Sequence, residues 1–239
     1  MDIGTVVAHV KTIHDRERAL IATMDEDSAR APSSLPRWTR AHVLSCRMAF
    51  LRAALRQVDY ALAGKEIEFY DGGKPGREAE IEAHANRPGD WLVSQVEHTT
   101  TQLDDAWARL TPAEWEKRAN YREPSNLISV LYGSWREAEI HCVDYDLGVE
   151  PAGWSDEFCY HLFAFLTPRV PAGIRIELAP SNGQSTVIGA GHLVIVRGAL
   201  TDLAAWLAGR TPAGRVESSN GLLPPLQGLR GGESSPRAS

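Results

Sequence analysis

A chain of 239 residues can bury a substantial core, in one large domain or two smaller ones. Its formal charge of −6 argues against nucleic acid or an anionic membrane surface as partner. No stretch approaches the roughly 18 consecutive apolar residues of a membrane helix. Three scattered cysteines (Cys46, Cys142, Cys159) are too few for a disulfide framework, and residues 1–18 mix charges where a signal peptide would be apolar. A cytoplasmic location with reduced thiols is expected.

The first part of the chain reads as helical. Residues 4–24 carry apolar side chains at helical intervals, Val6, Val10, Ile13 and Leu20 among them. Ser33-Ser34-Leu35-Pro36 breaks that pattern, and Thr39 then offers an N-cap for a helix over 40–63, which Gly64 stops. Asp71-Gly72-Gly73-Lys74-Pro75-Gly76 reads as a loop, followed by helices over 77–86 and 90–110. Thr111-Pro112-Ala113-Glu114 is a turn or helix start, and the last long helix runs over 125–146. Four main helices on modest connections describe an antiparallel bundle, whose interior commonly holds metal sites built from facing helices.

After Gly148 the texture changes. A helix over 154–166 ends at Thr167-Pro168, and Gly173-Ile174-Arg175-Ile176-Glu177-Leu178 alternates as a half-buried strand does. Ser185-Thr186-Val187-Ile188 and His192-Leu193-Val194-Ile195-Val196-Arg197 read as two further strands. Thr201 is expected to cap a helix through Leu207 that ends at Gly209. The expected organisation is a helical bundle over 1–152, a small α/β domain with a short sheet over 153–229, and a disordered tail over 230–239. No internal repeat is present.

The chemistry concentrates in Trp135-Arg136-Glu137-Ala138-Glu139-Ile140-His141-Cys142-Val143-Asp144. Glu137 and His141 stand four apart, so on a helix they share a face and can grip one metal ion. A third ligand would complete a catalytic-type zinc site with one open position. His42 and Cys46 repeat the spacing on another helix, and thiolate and imidazole both bind zinc well. The competing reading is structural: a histidine and a cysteine packed in the core, with Glu137 paired to Arg136 or Arg40.

At these residues the sequence resembles the mycothiol-dependent maleylpyruvate isomerase family, a branch of the DinB-like metal-binding bundles. The likeness covers most of the chain. It includes Leu35-Pro36-Arg37-Trp38-Thr39-Arg40-Ala41-His42-Val43-Leu44, Arg77-Glu78-Ala79-Glu80-Ile81-Glu82, and the 136–144 segment closed by Leu147-Gly148. Val196-Arg197-Gly198-Ala199-Leu200-Thr201-Asp202-Leu203 and Trp206-Leu207-Ala208-Gly209-Arg210 are similar to the family's C-terminal domain. The resemblance implies an α+β fold: a DinB-like four-helix bundle with one zinc held by His, Glu and His, and a small domain that closes over it. That domain helps to hold a thiol cofactor, mycothiol or another low-molecular-weight thiol. Glu137 and His141 match two of the ligands, but the position of the other histidine is Cys46. Arg47-Met48-Ala49-Phe50 follows it where the family has a small residue, a nearby aromatic and an asparagine, so the pocket is expected to be rebuilt.

Three readings follow from that departure. Cys46 can serve as a thiolate ligand in a Cys-Glu-His site. His42 can turn in as an alternative ligand. Or the metal is lost, and Glu137, His141 and Cys46 act directly as acid, base or nucleophile. The implied activity is a zinc-dependent, thiol-using cis–trans isomerase or S-transferase acting on a small, acidic or specialised metabolite. Zinc with an open position holds the thiol as thiolate; the thiolate adds to an activated double bond and leaves, or displaces a leaving group and stays. Glu137, His141, Cys46 and Arg210 are the candidate catalytic residues. Arg210, Arg77 and Tyr70 are the candidate contacts to thiol or acidic substrate, with a helix C-terminal cation as the alternative role of Arg210. Asp144 is placed to orient the His141 imidazole or to pair with a surface base. Trp38 is expected in the bundle core, and Cys142 and Cys159 as small buried residues. His9, His14, His84, His98, His161 and His192 have no partner at ligand spacing. Expected partners are a small molecule and a thiol, with no nucleic acid or membrane, in a monomer or homodimer. A non-catalytic small-molecule-binding bundle is the reading from another class.

Overall fold

The computed structural model describes residues 1–228, so the tail expected over 230–239 lies outside the described residues. The chain divides into two compact units, at Leu147/Gly148.

The first unit contains α1 (Ile3–Ile21), α2 (Glu26–Arg30), α3 (Arg40–Leu62), α4 (Gly73–Ala85), α5 (Gly89–Arg109) and α6 (Leu127–Asp144). Helices α1, α3, α5 and α6 pack on one another as a four-helix bundle, and α4 packs on α3. The amphipathic helices bury one stripe, such as Leu92, Val96, Leu103 and Trp107 of α5. Helix α6 differs: it is buried nearly all round, which makes it the central element. Its polar side chains Glu137, Glu139, His141 and Asp144 are therefore buried too, and each must find a partner or be costly.

Local chemistry explains where the helices start. Asn126 caps α6 by accepting from the Ser129 N–H at 3.1 Å. Thr39 holds the N-cap position of α3, as its sequence implies. Helix α4 begins at Gly73, inside the segment expected to be a loop. Pro75 sits in its first turn, where the missing N–H costs nothing. Gly76 is required there, because a Cβ would lie 1.8 Å from the Asp71 carbonyl oxygen. Helix α2 was not anticipated; it is a five-residue turn capped by the Asp25 side chain.

The second unit contains α7 (Asp156–Phe165), α8 (Leu200–Ala208) and strands β1 (Gly173–Pro180), β2 (Thr186–Gly189), β3 (Gly191–Gly198) and β4 (Glu217–Ser218). The sheet order is β2-β1-β3-β4, with β1 and β3 parallel and the other pairs antiparallel. Ile176, Leu178, Ile188, Val194 and Val196 form its buried face, against which α7 and α8 pack. Thr201 does not cap α8; the N-cap position is two residues earlier, at Ala199, and the helix begins at Leu200. The Leu200 N–H is satisfied instead by the Asn182 side chain at 2.8 Å. Gly209 ends the helix in the left-handed conformation at φ +73°, as read from the sequence. Strand β4, two residues long, is too short to leave a sequence pattern. No helix among the described residues is long and apolar enough to cross a membrane.

Candidate metal centre

Packing of α3 against α6 brings Cys46 to Glu137 and His141. One donor atom from each lies within 4.8 Å of the others, and all three residues are buried. Cys46 Sγ is 3.5 Å from His141 Nε2, and His141 Nε2 is 3.3 Å from Glu137 Oε2. No other group of His, Cys, Asp and Glu side chains among the described residues has ligand geometry.

The imidazole is oriented from behind. His141 Nδ1 lies 2.8 Å from Asp144 Oδ2, and Asp144 is fully buried. With Nδ1–H facing that carboxylate, the lone pair of Nε2 faces Cys46 and Glu137. Glu137 Oε2 stands 3.3 Å from Nε2 and makes no other hydrogen bond, so the pair must share a proton or a cation between them. Burial opposes a positive His141, but Cys46, Asp144 and Glu137 outweigh it and raise its pKa well above the ordinary histidine value. Burial likewise opposes ionisation of Glu137; the proximity of His141 and the guanidiniums of Arg77 and Arg47 hold its carboxyl below the usual range. The donor set fits a divalent ion as well as a proton. Donors around a tetrahedral zinc stand about 3.3–3.6 Å apart at ordinary Zn–N, Zn–O and Zn–S lengths; the two separations from His141 Nε2, 3.3 and 3.5 Å, fall in that range, and Cys46 Sγ and Glu137 Oε2 lie within 4.8 Å of each other.

Around this cluster the sequence-derived candidates divide. Arg77, on α4, donates from Nη2 to Cys46 Sγ at 3.0 Å. Its guanidinium carbon lies 5.3 Å from the centre of the Tyr70 ring. Tyr70 and Trp38 are half-buried and pack against the core residues Cys46, Ala49 and Ile81, so Trp38 covers the core next to the site. Burial pushes the Tyr70 phenol well above its ordinary pKa. His42, the alternative ligand, is outside the cluster. Its Nδ1 lies 2.7 Å from Thr39 Oγ1 and 3.2 Å from the Thr39 N–H, so it closes the α3 N-terminus. Arg40 does not pair with Glu137; it donates to the carbonyls of Ser28, Tyr145 and Asp146. Arg210 belongs to the second unit, where it follows α8 and donates to the Ala208 carbonyl at 2.8 Å.

One charged pair near the cluster has no counterpart in the sequence reading. Arg47 and Glu17 are both buried and bonded twice, at 2.8 and 2.7 Å, and the Tyr145 hydroxyl donates to Glu17 Oε1 at 3.0 Å. The available signal was Arg47 itself, a charge set between Leu44-Ser45-Cys46 and Met48-Ala49-Phe50-Leu51 in a helix. Its partner lies 30 residues away on α1 and could not be assigned by spacing.

The sequence model of the mycothiol maleylpyruvate isomerase N-terminal domain matches residues 10–146, more than half of the chain. The chain belongs to the mycothiol maleylpyruvate isomerase family. Two solved structures share its fold: a crystal structure of the mycothiol-dependent maleylpyruvate isomerase, at TM-score 0.84, and one of a histidine-to-alanine mutant, at 0.83. In both, identity is 22% over 95% of this chain and 96% of the other. No curated protein sequence matches. Membership places the chain in an isomerase-like enzyme class, with the α+β architecture that its sequence implies.

Proposed function

We propose that the protein is a zinc-dependent enzyme that uses a low-molecular-weight thiol, mycothiol or a close equivalent, for cis–trans isomerisation or S-transfer on a small acidic metabolite. The observation that carries this reading is the convergence of Cys46 Sγ, Glu137 Oε2 and His141 Nε2, with the imidazole fixed by Asp144. When bound, a divalent ion with an open position supplies Lewis acidity that keeps a thiol ionised at neutral pH. Cys46, Glu137 and His141 would hold the ion, and Asp144, accepting from Nδ1–H, would leave the Nε2 lone pair free to bind it. Burial by α3, α4 and α6 excludes bulk water, which strengthens each electrostatic contact. Family membership and the mycothiol-dependent relatives of the same fold support the choice of thiol.

Elemental analysis of untagged protein, with a thiol-dependent turnover assay on cis-unsaturated oxo acids, tests the reading. Near-stoichiometric zinc, lost with turnover in Cys46→Ala and His141→Ala, is the expected result. Metal-free protein with full turnover would overturn it in favour of a second reading, in which Cys46 is itself the nucleophile, His141 its base and Asp144 the orienting carboxylate. The 3.5 Å Sγ–Nε2 contact is what favours that alternative. Absence of both metal and turnover, with a small molecule raising the melting temperature, would leave a non-catalytic binding bundle.

A further inference from the structure

Arg77 raises a question that a contact to substrate does not answer. It is only 3% exposed, it lies over the Tyr70 ring, and its Nη2–H points at the sulfur of Cys46 at 3.0 Å. A buried guanidinium needs an anionic or strongly accepting partner, and a neutral thiol is a poor one. A metal-bound thiolate is a good one, because it keeps most of its negative charge and accepts charge-assisted hydrogen bonds. The charge balance agrees. A divalent ion, Glu137, a Cys46 thiolate and Asp144 together leave one uncompensated negative charge, and Arg77 neutralises it. Arg47 also bears on Glu137, but it is bonded directly to Glu17 and makes no contact with the Cys46 sulfur.

We propose that Arg77 is a positioning residue for the metal site: its N–H···S bond fixes the Cys46 sulfur where it can serve as a ligand. The inference rests on the metal reading above and adds a residue whose effect depends on the identity of residue 46. Side chains that support metal ligands typically change metal affinity by about 10–100-fold when removed.

The test is a cycle of four proteins: wild type, Arg77→Gln, Cys46→His, and the double variant. Zinc affinity is measured by competition with a chromophoric chelator, and the cobalt(II) forms are followed by absorption. Circular dichroism checks the fold, and Arg77→Lys provides a charge-retaining variant should the glutamine variant not fold. The expected result is about 10–100-fold weaker zinc binding in Arg77→Gln, with most of the loss recovered in Arg77→Lys. In the Cys46→His background, where there is no sulfur to hold, removing Arg77 should leave binding unchanged. Loss of the N–H···S bond should also move the sulfur-to-cobalt charge-transfer band to lower energy. Equal weakening in both backgrounds would show a merely structural role and overturn the proposal, as would an unchanged affinity and spectrum in Arg77→Gln. Wild-type protein that binds neither ion overturns the metal reading itself, and the role of Arg77 with it.

Discussion

Asp144 controls which nitrogen of His141 meets the cluster. Its carboxylate lies 2.8 Å from Nδ1 and is fully buried, so the imidazole has no low-cost alternative orientation. Asp144→Ala should weaken zinc binding by about 10–100-fold while leaving the helical circular dichroism signal intact. Asp144→Asn should also weaken binding, because its amide cannot replace the charge and can turn its NH2 group toward Nδ1. Chelator competition measures both; an affinity unchanged in either would remove the orienting role. These relations were partly legible in the sequence, since Glu137, His141 and Asp144 share one helix and fixed spacings convert directly to proximity. The Arg77–Cys46 contact was not, because the two residues lie 31 positions apart and Arg77 follows a segment that reads as loop.

Helix α3 carries Cys46 toward α6 and, one residue later, Arg47 toward α1. The Glu17–Arg47 pair therefore ties α1 to the helix that supplies a candidate ligand, and Tyr145 joins it from the end of α6. Removing one member of a buried pair strands the other charge, so Glu17→Gln should cost about 3–5 kcal/mol in denaturant unfolding. Burial alone would raise the Glu17 carboxyl, but Arg47 and the Tyr145 hydroxyl hold it below the ordinary range. A carboxyl depressed in the fold stabilises above its unfolded pKa of about 4.3, and that contribution is lost as pH falls through the lower folded value. Urea midpoints should accordingly fall below about pH 4, with a shallower acid slope in the Glu17→Gln, Arg47→Met double variant. An identical slope in both proteins would exclude Glu17 as the source. Helix α4 makes a further element-level prediction. Gly76→Ala forces a Cβ against the Asp71 carbonyl, so it should cost about 1–3 kcal/mol and loosen Arg77 from Cys46. Its melting temperature and zinc affinity should fall together. Sequence patterns located the helices because apolar periodicity is a local property. They missed the start of α4 because a proline in a first turn and a glycine forced by a neighbouring carbonyl look like loop residues until the packing is known.

At the scale of the whole chain, the change from helical to alternating patterning near Gly148 was visible because the two periodicities differ, 3.6 residues against two. All three donors of the candidate metal site, and every residue that orients them, lie in the first unit. Metal binding is therefore linked to the stability of that unit. An ion that binds the folded form at a free concentration of 100 times its Kd adds about 2.7 kcal/mol. For a unit of this size that corresponds to roughly 5–10 °C in melting temperature. Stripping the protein with a chelator and rescanning by calorimetry should lower the transition by that amount, and restoring zinc should return it. His141→Ala should show a lower transition that neither treatment moves, since a buried carboxylate and thiol remain without their third donor. A chelator-insensitive transition in the wild type would mean that the buried Glu137 oxygen is balanced by a proton on His141 rather than by an ion. The buried acceptors themselves would be unchanged, and the bundle would then be maintained by its own imidazolium in the place proposed for a metal.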